Sequence, residues 1–139
     1  KIGIESTVID LSGKPKILRP GVITKSDLSR SFKINLSNTE SKIKSPGMLK
    51  KHYSPGIPVI LNKKPKNPNQ AYIVFGKKFK NYKNYFNLSQ KADLKEAAAN
   101  LYKTMRKIKK DGYKKIFVAK IPNKGLGIAI NDRLKRASN

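Results

Sequence analysis

Apolar positions along the chain fall into two regular stretches separated by one with no sustained period. Residues 2–11 mix β-branched and apolar residues in partial alternation and predict a strand. Ser12-Gly13-Lys14-Pro15 predicts a turn, since glycine supplies permissive dihedrals and proline fixes φ. Lys16-Ile17-Leu18-Arg19 predicts a second short strand, so that the pair forms a hairpin ended by Pro20-Gly21. Thr24 is placed to cap a short helix through about Phe32, with Asp27 at the third helical position as in a capping box.

Residues 33–56 are rich in Ser, Asn, Lys, Pro and Gly and read as a linker. Two clusters, Ser45-Pro46-Gly47-Met48 and His52-Tyr53-Ser54-Pro55, are too specific for a plain spacer, and long irregular loops in compact proteins are often functional. Regularity returns after Pro58. Val59-Ile60-Leu61, residues 71–75 ended by Gly76, and residues 84–88 predict three strands. A helix follows over about 92–111, with Leu94, Ala97, Ala98, Leu101, Met105 and Ile108 on one face. Gly112 is its predicted C′ residue, and Lys107, Lys109 and Lys110 suit the negative end of the helix dipole. Residues 115–119 predict a strand. Residues 126–137 predict a last helix burying Ile128, Ala129, Ile130 and Leu134. The β-β-β-α-β-α order after residue 57 predicts an α/β fold with a largely parallel sheet.

Composition narrows the chemistry. The 139 residues carry 32 Lys+Arg against 8 Asp+Glu, a formal net charge of +24. Such an excess draws polyanions, because lysines that neutralise phosphates release counterions. Lysine lies in every segment, however, and is accompanied by abundant Asn and Ile, which fits a general compositional bias; weak RNA attraction is compatible with either origin. There is no cysteine, hence no disulfide or thiolate site, and the single histidine, His52, argues against a histidine-rich metal site. No apolar run reaches the ~18 residues of a membrane span, and no signal pattern opens the chain, so a cytoplasmic location is expected. The chain opens on Lys1 and is expected to be a fragment.

Taken singly, the candidate residues are weak. Ser6 and Thr7 are ordinary strand residues, and Arg19 reads as a solvated surface arginine, although a strand-end guanidinium is suited to phosphate or carboxylate. His52-Tyr53 reads as a packed loop anchor. Gly125-Leu126-Gly127 lacks the third glycine of a dinucleotide fingerprint and reads as a tight turn entering a helix. No catalytic triad or carboxylate pair is evident, and the catalytic group is not identifiable.

Together they are more informative. Gly3-Ile4-Glu5-Ser6-Thr7-Val8-Ile9-Asp10-Leu11, followed by Ile17-Leu18-Arg19-Pro20-Gly21 and Ile23-Thr24, resembles the end of the catalytic domain of the YrdC-type L-threonylcarbamoyladenylate synthase family. Ser45-Pro46-Gly47-Met48 with His52-Tyr53-Ser54-Pro55 resembles the interdomain loop of its two-domain members. Residues 125–134 resemble the end of their C-terminal domain. The resemblance implies a small Rossmann-like C-terminal domain over 57–139, a linker and active-site loop over 33–56, and the terminal hairpin of a truncated YrdC-type α/β domain over 1–32.

It also implies the chemistry. L-Threonine, bicarbonate and ATP, with Mg2+ accompanying the nucleotide, give threonylcarbamoyl-AMP and pyrophosphate. A downstream tRNA threonylcarbamoyl transferase then modifies adenosine beside the anticodon. By matching position, Ser6 contacts threonine, Arg19 and Tyr53 contact the nucleotide, and His52 orients the loop. Ser54 stands where the family's motif has alanine. The family's N-terminal basic residues and Ser-x-Asn motif do not occur, so the chain alone is expected to be inactive. The alternative is a basic RNA-binding or docking module without catalysis, which predicts lysines gathered on one face; the synthase reading predicts Ser6, Arg19 and Tyr53 converging on one pocket.

Overall fold

The structure is a computed structural model that describes residues 3–32, 37–38 and 54–138. The clusters at 45–48 and His52-Tyr53 lie outside the described residues.

Two sheets organise the chain. In the first, β1 (Val8–Asp10) pairs antiparallel with β2 (Lys16–Arg19) as the hairpin pattern predicts. Helix α1 (Lys25–Phe32) follows, and its start is the predicted capping box. Asp27 accepts from the Thr24 amide at 3.0 Å while the Asp27 amide donates to the Thr24 hydroxyl at 3.2 Å. Strand β3 (Ser37–Asn38) then pairs parallel with β2. That short strand lies within the linker stretch and was not expected: two residues are too short for a periodic signal, and each pairs with a residue 21 positions earlier.

The second sheet is parallel throughout, in the order β4-β7-β5-β6. Its strands are β4 (Val59–Ile60), β5 (Ala71–Val74), β6 (Tyr85–Asn87) and β7 (Ile116–Val118). All four residues of β5 are buried, as expected of an inner parallel strand covered on both faces. Side chains alternate across it. Ala71, Ile73 and Phe75 enter the main core, while Tyr72 and Val74 join a second cluster with Phe79, Tyr85 and Phe117.

Helices α2 (Leu94–Lys110) and α3 (Leu126–Ser138) complete the main core. The Asp93 side chain caps α2 by accepting from the Lys95 amide at 2.9 Å. At the other end Gly112, at φ +93°, donates to Lys109 and Tyr113 donates back to Ile108. This Schellman pattern is what a C′ glycine permits.

Two further expectations need correction. The predicted strand over 2–11 begins only at Val8, because residues 3–5 leave the hairpin for the second unit. Gly3 lies so close to α2 that a Cβ would sit 2.8 Å from the Ala98 carbonyl oxygen, and Ile4 packs on the main core. On α3, Ile128 is only half-buried, whereas Arg133 is fully buried among the apolar residues of its stripe. Its carbonyl and carboxylate partners, described next, offset the cost of taking that charge out of water.

Candidate functional site

The hairpin brings two of the candidate residues together. Pairing runs Asp10↔Lys16 and Ile9↔Ile17, then skips to Val8↔Arg19, so one extra residue is accommodated on β2. A bulge of this kind re-aims the side chain beside it. Here it lays the Arg19 guanidinium along the backbone of Ser6. Arg19 Nε and Nη2 donate to the Ser6 carbonyl at 3.1 and 2.9 Å, and Nη2 lies 3.4 Å from Ser6 Oγ. Arg19 is only 7% exposed, which corrects its reading as a solvated surface residue. Ser6, by contrast, is exposed.

The segment after β2 is fitted closely to the same stretch. Thr7 Oγ1 donates to the Ile23 carbonyl at 2.5 Å. Gly21 packs on the backbone of Glu5, Ser6 and Thr7, where any Cβ would overlap main-chain atoms. Residues 5–7 and 19–23 therefore form one double-stranded wall with Ser6 on its solvent side.

Behind that wall stands a charged group from the far end of the chain. Arg133 Nε donates to Glu5 Oε2 at 2.6 Å, Nη2 to the Glu5 carbonyl at 3.2 Å and Nη1 to the Pro20 carbonyl at 2.7 Å. Asp132 accepts from both Arg133 and Arg136, at 2.9 and 2.8 Å. The Tyr102 hydroxyl, from α2, reaches both Glu5 carboxylate oxygens at 2.9 and 3.0 Å. Burial alone pushes the Glu5 carboxyl up. The hydrogen bond from Arg133, one from its own backbone, the Arg133 charge and the Tyr102 hydroxyl more than offset this, and the group is held below its ordinary 4.5.

A depressed carboxyl stabilises the fold above its unfolded value and loses that contribution as pH falls through the folded value. Stability is thus expected to be level from neutral pH to about 5 and to decline below 4.5 as Glu5 protonates. Urea melts at stepped pH, with Glu5→Gln flattening the decline, check this.

The pair Glu5–Arg133 and its tyrosine were not among the sequence-derived candidates. The signal available was the helical stripe itself, since Arg133 follows Ala129 and Ile130 and precedes Ala137 at buried spacing. Gly125-Leu126-Gly127 is a helix entry as expected. Gly125 has φ +51°, and Gly127 packs against the Pro122 carbonyl with no room for a Cβ. A narrow cleft runs from the wall residues Pro20, Gly21 and Ile23 to Gly125 and Ala129; Ser6 and Arg19 are not in its lining. Among the described residues, no three His, Asp or Glu side chains gather into a cation site, and no helix is long and apolar enough to cross a membrane.

Known proteins resemble this chain in sequence and in fold. Residues 23–139 match the family model described as threonylcarbamoyl-AMP synthase, C-terminal domain. The chain belongs to that family. Over 160 aligned residues it is 30% identical to the threonylcarbamoyl-AMP synthase of Pyrococcus abyssi, covering 99% of this chain and 46% of that protein. The Bacillus subtilis threonylcarbamoyl-AMP synthase is also 30% identical, over 158 residues, with the same coverage. The chain therefore spans about half the length of the curated relatives it matches. Its fold superposes on the crystal structure of P. abyssi Sua5 complexed with L-threonine at a TM-score of 0.77, with 28% identity over 99% of this chain and 46% of that one. A P. abyssi Sua5 structure with a histidine and the following tyrosine replaced by alanine gives 0.76 at 26% identity, over 99% of this chain and 45% of that one. The α/β class with a parallel four-stranded sheet is thus the family's, and the antiparallel hairpin precedes it.

Proposed function

We propose that this chain supplies one wall and the covering loop of a pocket in which L-threonine, bicarbonate and ATP are converted to threonylcarbamoyl-AMP and pyrophosphate. The observation that carries the reading is the contact between Arg19 and Ser6. Two motif residues thirteen positions apart are locked together through the Ser6 carbonyl and, at 3.4 Å, its hydroxyl, while Ser6 itself stays exposed. The P. abyssi relative binds L-threonine, and Ser6 is the residue assigned to it here. Arg19 holds the Ser6 carbonyl and stands at the wall where nucleotide phosphates would draw a guanidinium.

Residues 1–32 are then the end of the catalytic domain, 33–56 the loop and 57–139 the C-terminal domain. This chain's one histidine precedes Tyr53, so His52-Tyr53 is its only counterpart to the His-Tyr pair replaced in the P. abyssi protein. Tyr53 would reach the nucleotide as the loop folds over, with His52 orienting it. A closed loop excludes water from a labile mixed anhydride. Mg2+ would accompany the ATP and neutralise phosphate charge. The product passes to a tRNA threonylcarbamoyl transferase in the cytoplasm. This chain spans about half the relatives' length and is expected to be inactive alone; robust pyrophosphate release from threonine, bicarbonate and ATP would overturn that. The rival RNA-module reading rests on charge alone, with exposed lysines on α2 and at residues 63–66, 77–83 and 114–115.

The test is threonine titration of the polypeptide in which this chain is joined to a catalytic half. Ser6→Ala removes one hydrogen bond and is expected to weaken threonine binding about three- to tenfold, with ATP binding unchanged. Equal threonine affinity in the variant contradicts the assignment.

A further inference from the structure

Arg133 is fully buried, and its guanidinium bonds to two places in the wall. One is Glu5, the residue before Ser6, through both its carboxylate and its carbonyl. The other is the carbonyl of Pro20, the residue after Arg19. The donor lies 128 and 113 positions away in sequence. It sits on α3, whose Ile130 and Leu134 are locked in the main core.

We propose that Arg133, seconded by Tyr102, is a positioning residue that fixes Ser6 and Arg19 relative to each other from behind, so that the C-terminal domain sets the geometry of the substrate wall. This rests on the assignment of Ser6 and Arg19 to threonine and nucleotide.

The chemistry supports a geometric role over a purely adhesive one. A guanidinium presents its donors in a fixed planar fork, so three acceptors held at once define an orientation as well as a distance. Gly3 and Ile4 already supply close packing at the same junction. Apolar residues there would add adhesion without burying a charge. Asp132 braces the fork from its own helix and Tyr102 braces the Glu5 carboxylate from α2, so both partners are held on two sides. A group supported in this way transmits the position of α2 and α3 to the residues flanking Ser6 and Arg19. Reacting groups tolerate little displacement, and shifts of about 1 Å cost up to 10²-fold in rate.

The experiment has two arms. In this chain alone, NMR follows the Arg19 Nε–H, which donates to the Ser6 carbonyl. Arg133→Lys keeps the charge and loses the fork. It is expected to speed exchange of that proton about tenfold while the Ile73 amide in β5 stays as protected as in the parent. Unchanged Arg19 protection overturns the proposal, whatever the protein catalyses. In the polypeptide joined to a catalytic half, Arg133→Lys is expected to raise the threonine KM about tenfold. Ile130→Val, a core change that lowers stability without touching the wall, is expected to leave that KM unchanged. Matching KM shifts in the two variants reduce Arg133 to a structural role and overturn the proposal. A parent that binds no threonine refutes the functional reading, and the exchange arm still decides whether Arg133 positions the wall.

Discussion

Arg133→Ala is expected to lower the unfolding free energy by about 3 kcal/mol, the low end of the range for breaking a buried ion pair by removing one partner. Three things are lost together. Glu5 keeps its charge without its main partner, the Pro20 carbonyl loses its donor, and the space once filled by a fully buried side chain is left open. The low end applies because Glu5 retains 30% of its side-chain exposure and water can solvate it. Urea denaturation at neutral pH measures the effect, and a loss within the ~0.5 kcal/mol typical of surface changes contradicts it. The damage has a direction as well as a size. Residues 3–7 and 19–23 depend on Arg133 for their attachment to α3, so they should lose protection before β5 and β7 do. Hydrogen exchange resolves the two.

Leu101→Ala is the second large effect, expected at about 2–5 kcal/mol. Leu101 is fully buried in the middle of α2 and belongs to the cluster that joins the sheet to both helices. Its neighbours are held in place by the strand ladders and by α3, so the cavity collapses only in part. The lost transfer free energy and the cavity cost then add. Helix propensity works the other way, since alanine is the better former, but only by a few tenths of a kcal/mol. Lys103→Ala, on the exposed side of the same helix, is expected to change stability by less than ~0.5 kcal/mol. A denaturant midpoint that falls for Leu101→Ala at constant slope, and barely moves for Lys103→Ala, is the expected result.

The elements most legible in the sequence were those specified locally. Helix α2 announces itself by a sustained apolar stripe and a glycine at its end, and each of these makes the contact its type suggests. The Thr24–Asp27 capping box is equally local. The short strand β3 was invisible because two residues carry no period and its register is set by β2. Residues 2–7 look like strand by composition, yet Gly3 and Ile4 pack against another unit, a tertiary demand that overrides propensity.

The site divides in the same way. That Ser6 and Arg19 share a wall followed from the likeness of their motifs, while the bulge that turns Arg19 onto Ser6 did not. Glu5, Tyr102 and Arg133 meet across 97 and 128 residues of sequence, with nothing local to tie them. Both Glu5 and Arg133 lie in motif segments, and an arginine on an apolar helical stripe says that a partner must exist, but neither signal says that the two meet. Tyr53 and His52 lie outside the described residues, so the proposed function stands on the contact between Arg19 and Ser6.

The proposed function is tested most directly by a crystal structure of this chain joined to a catalytic half, grown with L-threonine and a non-hydrolysable ATP analogue. The expected map has a polar atom of threonine within about 3.2 Å of Ser6 Oγ, with Arg19 still on the Ser6 carbonyl. Threonine bound at a place that residues 5–7 and 19–23 do not line, with Ser6 facing solvent, would contradict it.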